Sequence, residues 1–317
     1  MTLLVDIAFF FASLVMLVVS ASFMVKYLAR IAAYLRMSEF VISFIIIGLS
    51  TSIPELFIGI TSAMAGNPQL SLGNLIGSNI ADLTTVIGIP VLLARGIRIS
   101  TRAAQDDVYY MFAIAALPLV LMALGGELSR IDGLILIGVF IVYMYNLVRQ
   151  QRTLHKRVEE TVGRMEIVSA VFLFIACLAL VLGSAYFVVK HASSLALGLN
   201  LPLILVGVVL LGLGTSLPEL SFNIRSVRQG HPEMALGDSV GSVVVNSSLV
   251  LGIVALIHPI QEALFLYLTA WIFMLLVGFI FLTFVKSGNK LNWQEGLALI
   301  MLYSFFLMVE FYVKGTV

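Results

Sequence analysis

One segment of this chain occurs twice. Residues 41–88 align without a gap with residues 205–252, so the copies lie 164 positions apart, with 17 identities in 48 positions. The first copy reads GLSTSIPEL…LGNLIGSNIAD and the second reads GLGTSLPEL…LGDSVGSVVVN. The same shift aligns Ser20-Ala21 with Ser184-Ala185, so the duplication extends to the segment ahead of each copy. We therefore predict two related halves, 1–148 and 166–317, joined by a basic linker at 149–165.

The composition places both halves in a membrane. The chain is 61% hydrophobic and 11% charged, whereas soluble domains contain about 25% charged residues. Apolar stretches of transmembrane length recur along the whole chain. We predict an all-α polytopic membrane protein with ten transmembrane helices, at about 3–25, 39–65, 70–93, 108–124, 132–148, 166–189, 203–229, 234–257, 263–285 and 293–313.

The basic residues predict the orientation of these helices. If the N-terminus lies outside, fifteen of the 18 Lys and Arg residues fall on the inner side, and only Arg130, Lys190 and Lys314 fall outside. Such a bias is typical of cytoplasmic loops, so both termini are expected outside and the linker 149–165 in the cytoplasm. Each half has five spans, an odd number. The second half therefore enters the membrane from the opposite side, so the two halves are predicted to be inverted five-helix repeats.

Carboxylates lie near the centres of several predicted spans. Glu55 and Glu219 occupy matching places in spans 2 and 7, while Asp82 and Asn246 occupy matching places in spans 3 and 8. An ionised carboxylate at a helix centre costs about 2.5–3.5 kcal/mol on insertion scales. The sequence places no Lys or Arg at this depth. Bound cations or protons are therefore expected to balance the charge.

The residues around each glutamate supply further oxygen ligands. Pro54 and Pro218 lack a backbone N–H and crowd the preceding turn, so helices 2 and 7 are predicted to break there and free backbone carbonyls. Oxygen ligands suit hard cations such as Ca²⁺ and Na⁺, whereas the His and Cys ligands of zinc or copper are missing from this layer. The candidate ligands are Glu55, Glu219, Asp82, Asn246, Thr51, Thr215, Ser52, Ser216, Ser78, Ser242, Gly48 and Gly212.

The two motif pairs resemble the α-repeats of the sodium/calcium exchangers, within the calcium/cation antiporter superfamily, and most of all the compact prokaryotic members. The resemblance implies exchange of Ca²⁺ for Na⁺ by alternating access, with no enzymatic activity and no cofactor besides the transported ions. It implies that Glu55 and Glu219 bind these ions beside the hydroxyls of Thr51, Ser52, Thr215, Ser216, Ser78 and Ser242. The carbonyls of Gly48 and Gly212 match sodium ligands of the family.

The resemblance also sets expectations for location and partners. We expect an integral protein of a prokaryotic plasma membrane, with the lipid bilayer as its surroundings. Ca²⁺ is expected as one transported ion and Na⁺ or H⁺ as the counter-ion. We expect no nucleic-acid partner, and the sequence indicates no obligate protein partner.

Two departures from the family pattern concern charge. Exchangers of this type can carry the amide on the first repeat and the carboxylate on the second, but Asp82 and Asn246 are arranged the other way round. Asp238 replaces the usual Asn of the second motif. Because Asp238 lies near the inner start of its span, we predict a vestibule or capping residue.

Other functions remain open from the residues alone. The same carboxylates could serve a Ca²⁺/H⁺ antiporter or an exchanger of another divalent cation. A cation channel also uses carboxylates and carbonyls, although it does not need two broken helices at one depth. An intramembrane hydrolase is not supported, because HExxH and GxSxG are missing and no His lies near the midplane.

Overall fold

The computed structural model describes residues 2–34, 51–98, 102–151, 164–261, 264–288 and 290–314. Its helices are α1 (Thr2–Tyr34), α2 (Ile53–Met64), α3 (Pro68–Ala81), α4 (Ile87–Leu93), α5 (Arg102–Gly125), α6 (Arg130–Gln151), α7 (Arg164–Gly198), α8 (Leu203–Val206), α9 (Gly212–Thr215), α10 (Leu217–Arg228), α11 (Pro232–Val245), α12 (Leu251–Ile257), α13 (Leu264–Gly288) and α14 (Trp293–Lys314). Three π-helical turns lie between helices, π1 (Asp82–Val86), π2 (Gly207–Leu211) and π3 (Asn246–Val250). Strands β1 (Gly96–Arg98) and β2 (Lys290–Asn292) pair antiparallel.

The helices confirm the predicted all-α membrane class. Nine helical stretches of the described residues are long and apolar enough to cross a membrane. The tenth predicted span, 39–65, is described only from Thr51 onward, where it forms the short apolar helix α2. Large apolar side chains such as Phe9 on α1 and Phe172 on α7 are exposed, as contact with lipid requires.

Local structure repeats at the spacing of the sequence duplication. Four pairs of elements begin and end 164 residues apart: α2 with α10, α3 with α11, α4 with α12, and π1 with π3. Gly66 and Gly230, in the turns after α2 and α10, have φ angles of +75° and +82°. Only glycine adopts this left-handed conformation at little cost. The two halves therefore share one local design.

Contacts between the halves are reciprocal. Ile97 and Ile260 follow α4 and α12, while Leu128 and Leu291 each lie two residues before α6 and α14. Ile97 pairs with Leu291, and Ile260 pairs with Leu128. Each half thus gives the other the contact that it receives, which is the pattern expected of two units related by a two-fold axis. The direction of that axis relative to a membrane stays a prediction.

The described helices extend slightly into the predicted linker. Helix α6 continues to Gln151 and α7 begins at Arg164. Residues 152–163 lie outside the described residues, so the boundaries of 1–148, 149–165 and 166–317 stay predictions.

Buried apolar side chains form two clusters. The smaller cluster lies mainly between α1 and α7 and includes Phe10, Leu17, Val181 and Val188. The larger cluster joins the remaining helices and includes Trp271 of α13. Helices α1 and α7 therefore form a packed pair, and their cluster continues into the neighbouring elements through residues such as Ile58 of α2, Leu70 of α3 and Leu211 of π2.

Candidate cation site

Polar side chains are concentrated where α2, α3, α10 and α11 meet. Each of the following is at most 6% exposed, although the surrounding interior is apolar: Thr51, Ser52, Glu55, Asn74, Ser78, Asp82, Thr215, Ser216, Glu219, Asp238, Ser242 and Asn246. Burying a polar group without a partner costs free energy. This cluster is therefore the candidate functional site.

A turn precedes each glutamate. In the second half, Ser216 (φ −82°, ψ 3°) separates α9 from α10, and Glu219 lies in the first turn of α10. In the first half, Ser52 (φ −86°, ψ 3°) precedes α2, whose first turn contains Glu55. Pro54 and Pro218 stand at the start of these helices, where a missing N–H costs no hydrogen bond. Both carboxylates thus lie at the positive end of a helix dipole.

The two serines keep free hydroxyl groups. Neither Ser52 nor Ser216 caps its helix with a side-chain hydrogen bond. Both hydroxyl oxygens are buried and have no partner within hydrogen-bond distance, and the Ser216 hydroxyl lies close to the Asp82 carboxyl group. Unpartnered buried oxygens next to a carboxylate are available to a cation.

Two hydrogen-bonded groups occupy matching places in the halves. In the Asn74 corner, defined as Thr215, Asn74 and Ser78, the Thr215 hydroxyl lies 3.3 Å from Asn74 Oδ1 and 3.1 Å from Ser78 Oγ. In the Asp238 corner, defined as Thr51, Asp238 and Ser242, the Thr51 hydroxyl lies 3.3 Å from both Asp238 Oδ1 and Ser242 Oγ. Each threonine reaches a helix of the other half, so both halves build both corners.

Ser78 joins the Asn74 corner to the first glutamate. Its hydroxyl lies 3.4 Å from Glu55 Oε1 and 3.3 Å from the carbonyl oxygen of Gly212. The close approach depends on glycine, because a Cβ on Gly212 would lie 2.7 Å from the carbonyl carbon of Gly77. The structure therefore brings the Gly212 carbonyl to the site. Its counterpart Gly48 lies outside the described residues.

Asn246 is held by a residue that the sequence analysis missed. Asn246 Nδ2 donates to Asn79 Oδ1 at 3.2 Å, and Asn79 Nδ2 donates to Ser247 Oγ at 2.9 Å. This arrangement leaves Asn246 Oδ1 buried and without a partner. The duplication gave no signal for Asn79, because the matching residue is Val243.

Four carboxyl groups are close enough to repel one another. Glu55, Asp82, Glu219 and Asp238 interact electrostatically in every pairing. Each keeps one buried oxygen without a hydrogen-bond partner. Within the described part of the chain, no Lys, Arg or His forms an ion pair with any of them. Their charge therefore requires another source of compensation.

The structure corrects the prediction for Asp238. Its side chain is only 3% exposed and accepts a hydrogen bond from Thr51, so it is part of the site rather than a vestibule or capping residue. The prediction rested on the position of Asp238 near the inner start of its own span. It did not consider that Thr51, at the turn before α2, reaches α11 near Asp238.

Neutral oxygens are needed to complete any cation site here. Among the residues that the structure describes, no three or more acidic, His or Cys side chains are arranged to hold one metal ion. A Ca²⁺ ion takes 6–8 oxygen ligands, including carbonyl and amide oxygens. Hydroxyl and amide oxygens of the two corners, with the carbonyl oxygen of Gly212, can supply those that carboxylates do not.

Sequence comparisons identify relatives over the whole chain. The sequence model of a family described as "Sodium/calcium exchanger protein" matches residues 5–149 and 169–312. The sodium/calcium exchanger MaX1 of Methanosarcina acetivorans is 29% identical and aligns over 95% of this chain and 97% of its own. The putative antiporter CaxA of Alkalimonas amylolytica is 26% identical, over 95% and 97%.

A solved structure has the same fold. It is described as the sodium-calcium exchanger NCX_Mj soaked with 10 mM Na⁺ and 10 mM Sr²⁺, and it matches with a TM-score of 0.67. The match covers 96% of this chain and 98% of that one, at 24% identity. At this identity the likeness establishes the fold alone.

Proposed function

Because the chain belongs to the sodium/calcium exchanger family, we propose that it exchanges Ca²⁺ for Na⁺ across a membrane, at the site around Glu55 and Glu219. One observation carries this proposal. Two glutamates at matching helix starts lie in a buried cluster of four carboxylates, and no basic side chain of the described residues pairs with them. Transported cations would neutralise them.

Charge accounts for the coupling of the two ions. One Ca²⁺ ion balances two carboxylates, whereas one Na⁺ ion balances one. Ionised carboxylates without a counter-ion are costly in a closed, dry interior. The site would therefore switch between the two sides of the membrane only when cations occupy it. Ca²⁺ and Na⁺ would compete for the same oxygen ligands. This competition makes the movement of one ion depend on the other.

Alternating access would require one packed unit to move against another. We assign the moving unit to α1 and α7, because these two long helices pack mainly against each other. Two inverted repeats would give the outward-open and inward-open states equivalent packing. The reciprocal contacts between the halves support this symmetry.

The same proposal includes the setting of the protein. We place it in a prokaryotic plasma membrane with both termini outside and the linker 149–165 in the cytoplasm. The distribution of Lys and Arg supports this orientation. We propose Ca²⁺, Na⁺ and the lipid bilayer as its partners.

Transport by the purified protein tests the proposal. In proteoliposomes loaded with Na⁺, uptake of radiolabelled Ca²⁺ should follow the outward Na⁺ gradient. A parallel sample with an outward H⁺ gradient and no Na⁺ should show no uptake. Uptake driven only by H⁺ would instead identify a Ca²⁺/H⁺ antiporter. Uptake under neither gradient would reject Ca²⁺ as the substrate, and Mg²⁺ and Mn²⁺ would be tested next.

A further inference from the structure

Helix α14 packs closely against α4 through a pair of glycines. A Cβ on Gly88 of α4 would lie 2.8 Å from the carbonyl oxygen of Gly296, and a Cβ on Gly296 would lie 3.0 Å from the carbonyl oxygen of Gly88. Strand β1 follows α4 and β2 directly precedes α14, and these strands pair antiparallel. The two helices therefore run in opposite directions past the glycine contact.

This packing brings Tyr303 to the level of Asp82. Tyr303 lies seven residues after Gly296, and Asp82 lies six residues before Gly88, which are rises of about 10 Å and about 9 Å. Residues seven apart lie on the same face of an α-helix, and Tyr303 is only 4% exposed. Helix α14 contacts both α4 and π1. Tyr303 therefore faces the turn that begins with Asp82.

Tyr303 and Asp82 each keep an unpaired polar atom. The Tyr303 hydroxyl and Asp82 Oδ1 are buried and have no hydrogen-bond partner among the residues that the structure describes. The two groups interact electrostatically. A phenolic hydroxyl donates and an ionised carboxylate accepts, so each group offers what the other lacks.

The second half of the chain lacks this hydroxyl. The glycine contact recurs between α6 and α12, where a Cβ on Gly133 would lie 2.7 Å from the carbonyl oxygen of Gly252. Phe140 stands seven residues after Gly133, and Asn246 stands six residues before Gly252. The aromatic ring thus carries a hydroxyl in the half whose polar residue is a carboxylate, and none in the half whose polar residue is an amide.

We propose that Tyr303 is a positioning residue for Asp82, and that its hydroxyl donates a hydrogen bond to the unpaired Asp82 oxygen. The bond forms through one water molecule, or directly after a rotation of the carboxyl group. The Ser216 hydroxyl lies close to the same carboxyl group, so two hydroxyls together hold its orientation. This inference rests on the proposed function, because it assumes that Asp82 helps to bind the transported cation.

The Tyr303→Phe variant tests the inference. The substitution copies the ring of the second half and removes only the hydroxyl. With radiolabelled Ca²⁺ and purified protein in detergent, the half-saturating Ca²⁺ concentration should rise about tenfold, as expected from losing one hydrogen bond to a charged group. The maximal rate of Ca²⁺ uptake into proteoliposomes should stay the same. Thermal unfolding shows whether the variant is folded.

A second background tests whether Tyr303 acts through Asp82. In an Asp82→Ala protein, Tyr303→Phe should change the half-saturating Ca²⁺ concentration by less than about twofold, because the group that accepts the hydrogen bond is gone. Tyr143→Phe is the matched control. It removes the hydroxyl of a half-buried tyrosine on α6 that interacts with Asp107, and it should leave Ca²⁺ binding unchanged.

Infrared difference spectroscopy provides a test even if the Asp82→Ala protein binds no Ca²⁺. Addition of Ca²⁺ to the unmodified protein should change a tyrosine ring band, because the cation competes for the carboxylate that accepts from the hydroxyl. This band should be missing from the difference spectrum of Tyr303→Phe and present in that of Tyr143→Phe.

Three results would overturn the inference. The first is unchanged Ca²⁺ affinity in a folded Tyr303→Phe variant. The second is an equal loss of affinity with and without the Asp82 carboxylate, because Tyr303 would then act through packing alone. The third is a Ca²⁺-induced spectrum that is identical in the unmodified protein and in Tyr303→Phe. Failure of the unmodified protein to bind Ca²⁺ would instead reject the proposed function.

Discussion

Thr51 and Thr215 connect the two halves of the site. Each threonine lies at the turn before a glutamate-bearing helix. The Thr51 hydroxyl contacts Asp238 of α11, and the Thr215 hydroxyl contacts Asn74 of α3. A substitution at either turn therefore affects candidate ligands of both halves. In both motifs the threonine lies four residues before the glutamate.

The two glutamates should be indispensable for exchange. Glu55→Gln or Glu219→Gln should lower Na⁺-driven Ca²⁺ uptake to the level of protein-free liposomes, because each removes a carboxylate that balances the transported charge. Uptake and Ca²⁺ binding are measured together, and thermal unfolding of each variant shows whether it is folded. Substantial uptake by either glutamine variant would show that the site lies elsewhere.

Asn79 should position Asn246 without contacting the ion. Asn79→Val copies the residue of the second half, Val243, and removes the hydrogen bond to Asn246 Nδ2. The half-saturating Ca²⁺ concentration should rise roughly twofold to tenfold, as expected from losing a bond worth about 0.5–1.5 kcal/mol. The maximal rate should stay the same. A change in thermal stability alone, with unchanged Ca²⁺ affinity, would limit Asn79 to a structural role.

At the residue scale, the sequence singled out positions at which the two halves agree. Glu55, Glu219, Thr51 and Thr215 stand out because they are duplicated, and the structure buries all of them in one cluster. Their binding of ions stays a prediction. Asn79 and the true position of Asp238 depend on contacts between helices, and a residue's depth along one straight helix does not reveal such contacts.

At the scale of elements, glycines let α3 approach α8 and π2. A Cβ on Gly73 would lie 2.6 Å from the carbonyl oxygen of Ile204, and a Cβ on Gly77 would collide with the carbonyl oxygen of Val208. No side chain therefore fits between these backbones. Small residues four positions apart are typical of helices that pack closely in membranes, and Gly73 and Gly77 follow this pattern.

Gly77→Ala should separate α3 from π2 and destabilise the fold. We expect a loss of about 1–3 kcal/mol, the usual cost of overpacking a closed contact, seen as a lower thermal midpoint in detergent. Gly183→Ala is the matched control, because no heavy atom lies within 4 Å of the added Cβ. Equal midpoints for both variants would contradict the close packing described above.

Several elements were not predictable from the sequence. Asp82 and Asn246 begin π-helical turns, which often mark functional sites. Hydrophobic periodicity does not distinguish a π turn from the surrounding α-helix. The pairing of β1 with β2 was missed too, because three-residue strands carry no alternating pattern long enough to recognise.

At the scale of the whole molecule, alternating access would require α7 to move against the bundle. Asn67, just before α3, lies within reach of α7, with its Nδ2 atom 3.5 Å from Ser193 Oγ. Cysteines at both positions, in a background lacking the single native Cys177, can be bridged by a short bifunctional thiol reagent. Bridging should abolish Ca²⁺ uptake.

Single-cysteine variants treated with the same reagent control for chemical modification. They should retain their uptake, and mass spectrometry should establish the bridged fraction. Full uptake by quantitatively bridged protein would mean that α7 does not move relative to α3, and the moving unit would have to be reassigned.

The overall architecture followed from two properties of the sequence. Long apolar stretches predicted the membrane helices, and the fixed spacing of the duplication predicted two similar halves, which recur element by element in the structure. How the halves pack together could not be predicted, because reciprocal contacts such as Ile97 with Leu291 join residues far apart in the chain.

Coupling between the two ions is the most direct test of the whole account. Uptake of radiolabelled Ca²⁺ and release of radiolabelled Na⁺ are followed in the same proteoliposomes. The account predicts that each flux saturates and stops when the other ion is withheld, and that Glu55→Gln abolishes both. Ca²⁺ uptake that continues at the same rate without internal Na⁺ or any other counter-ion would contradict it and indicate a channel.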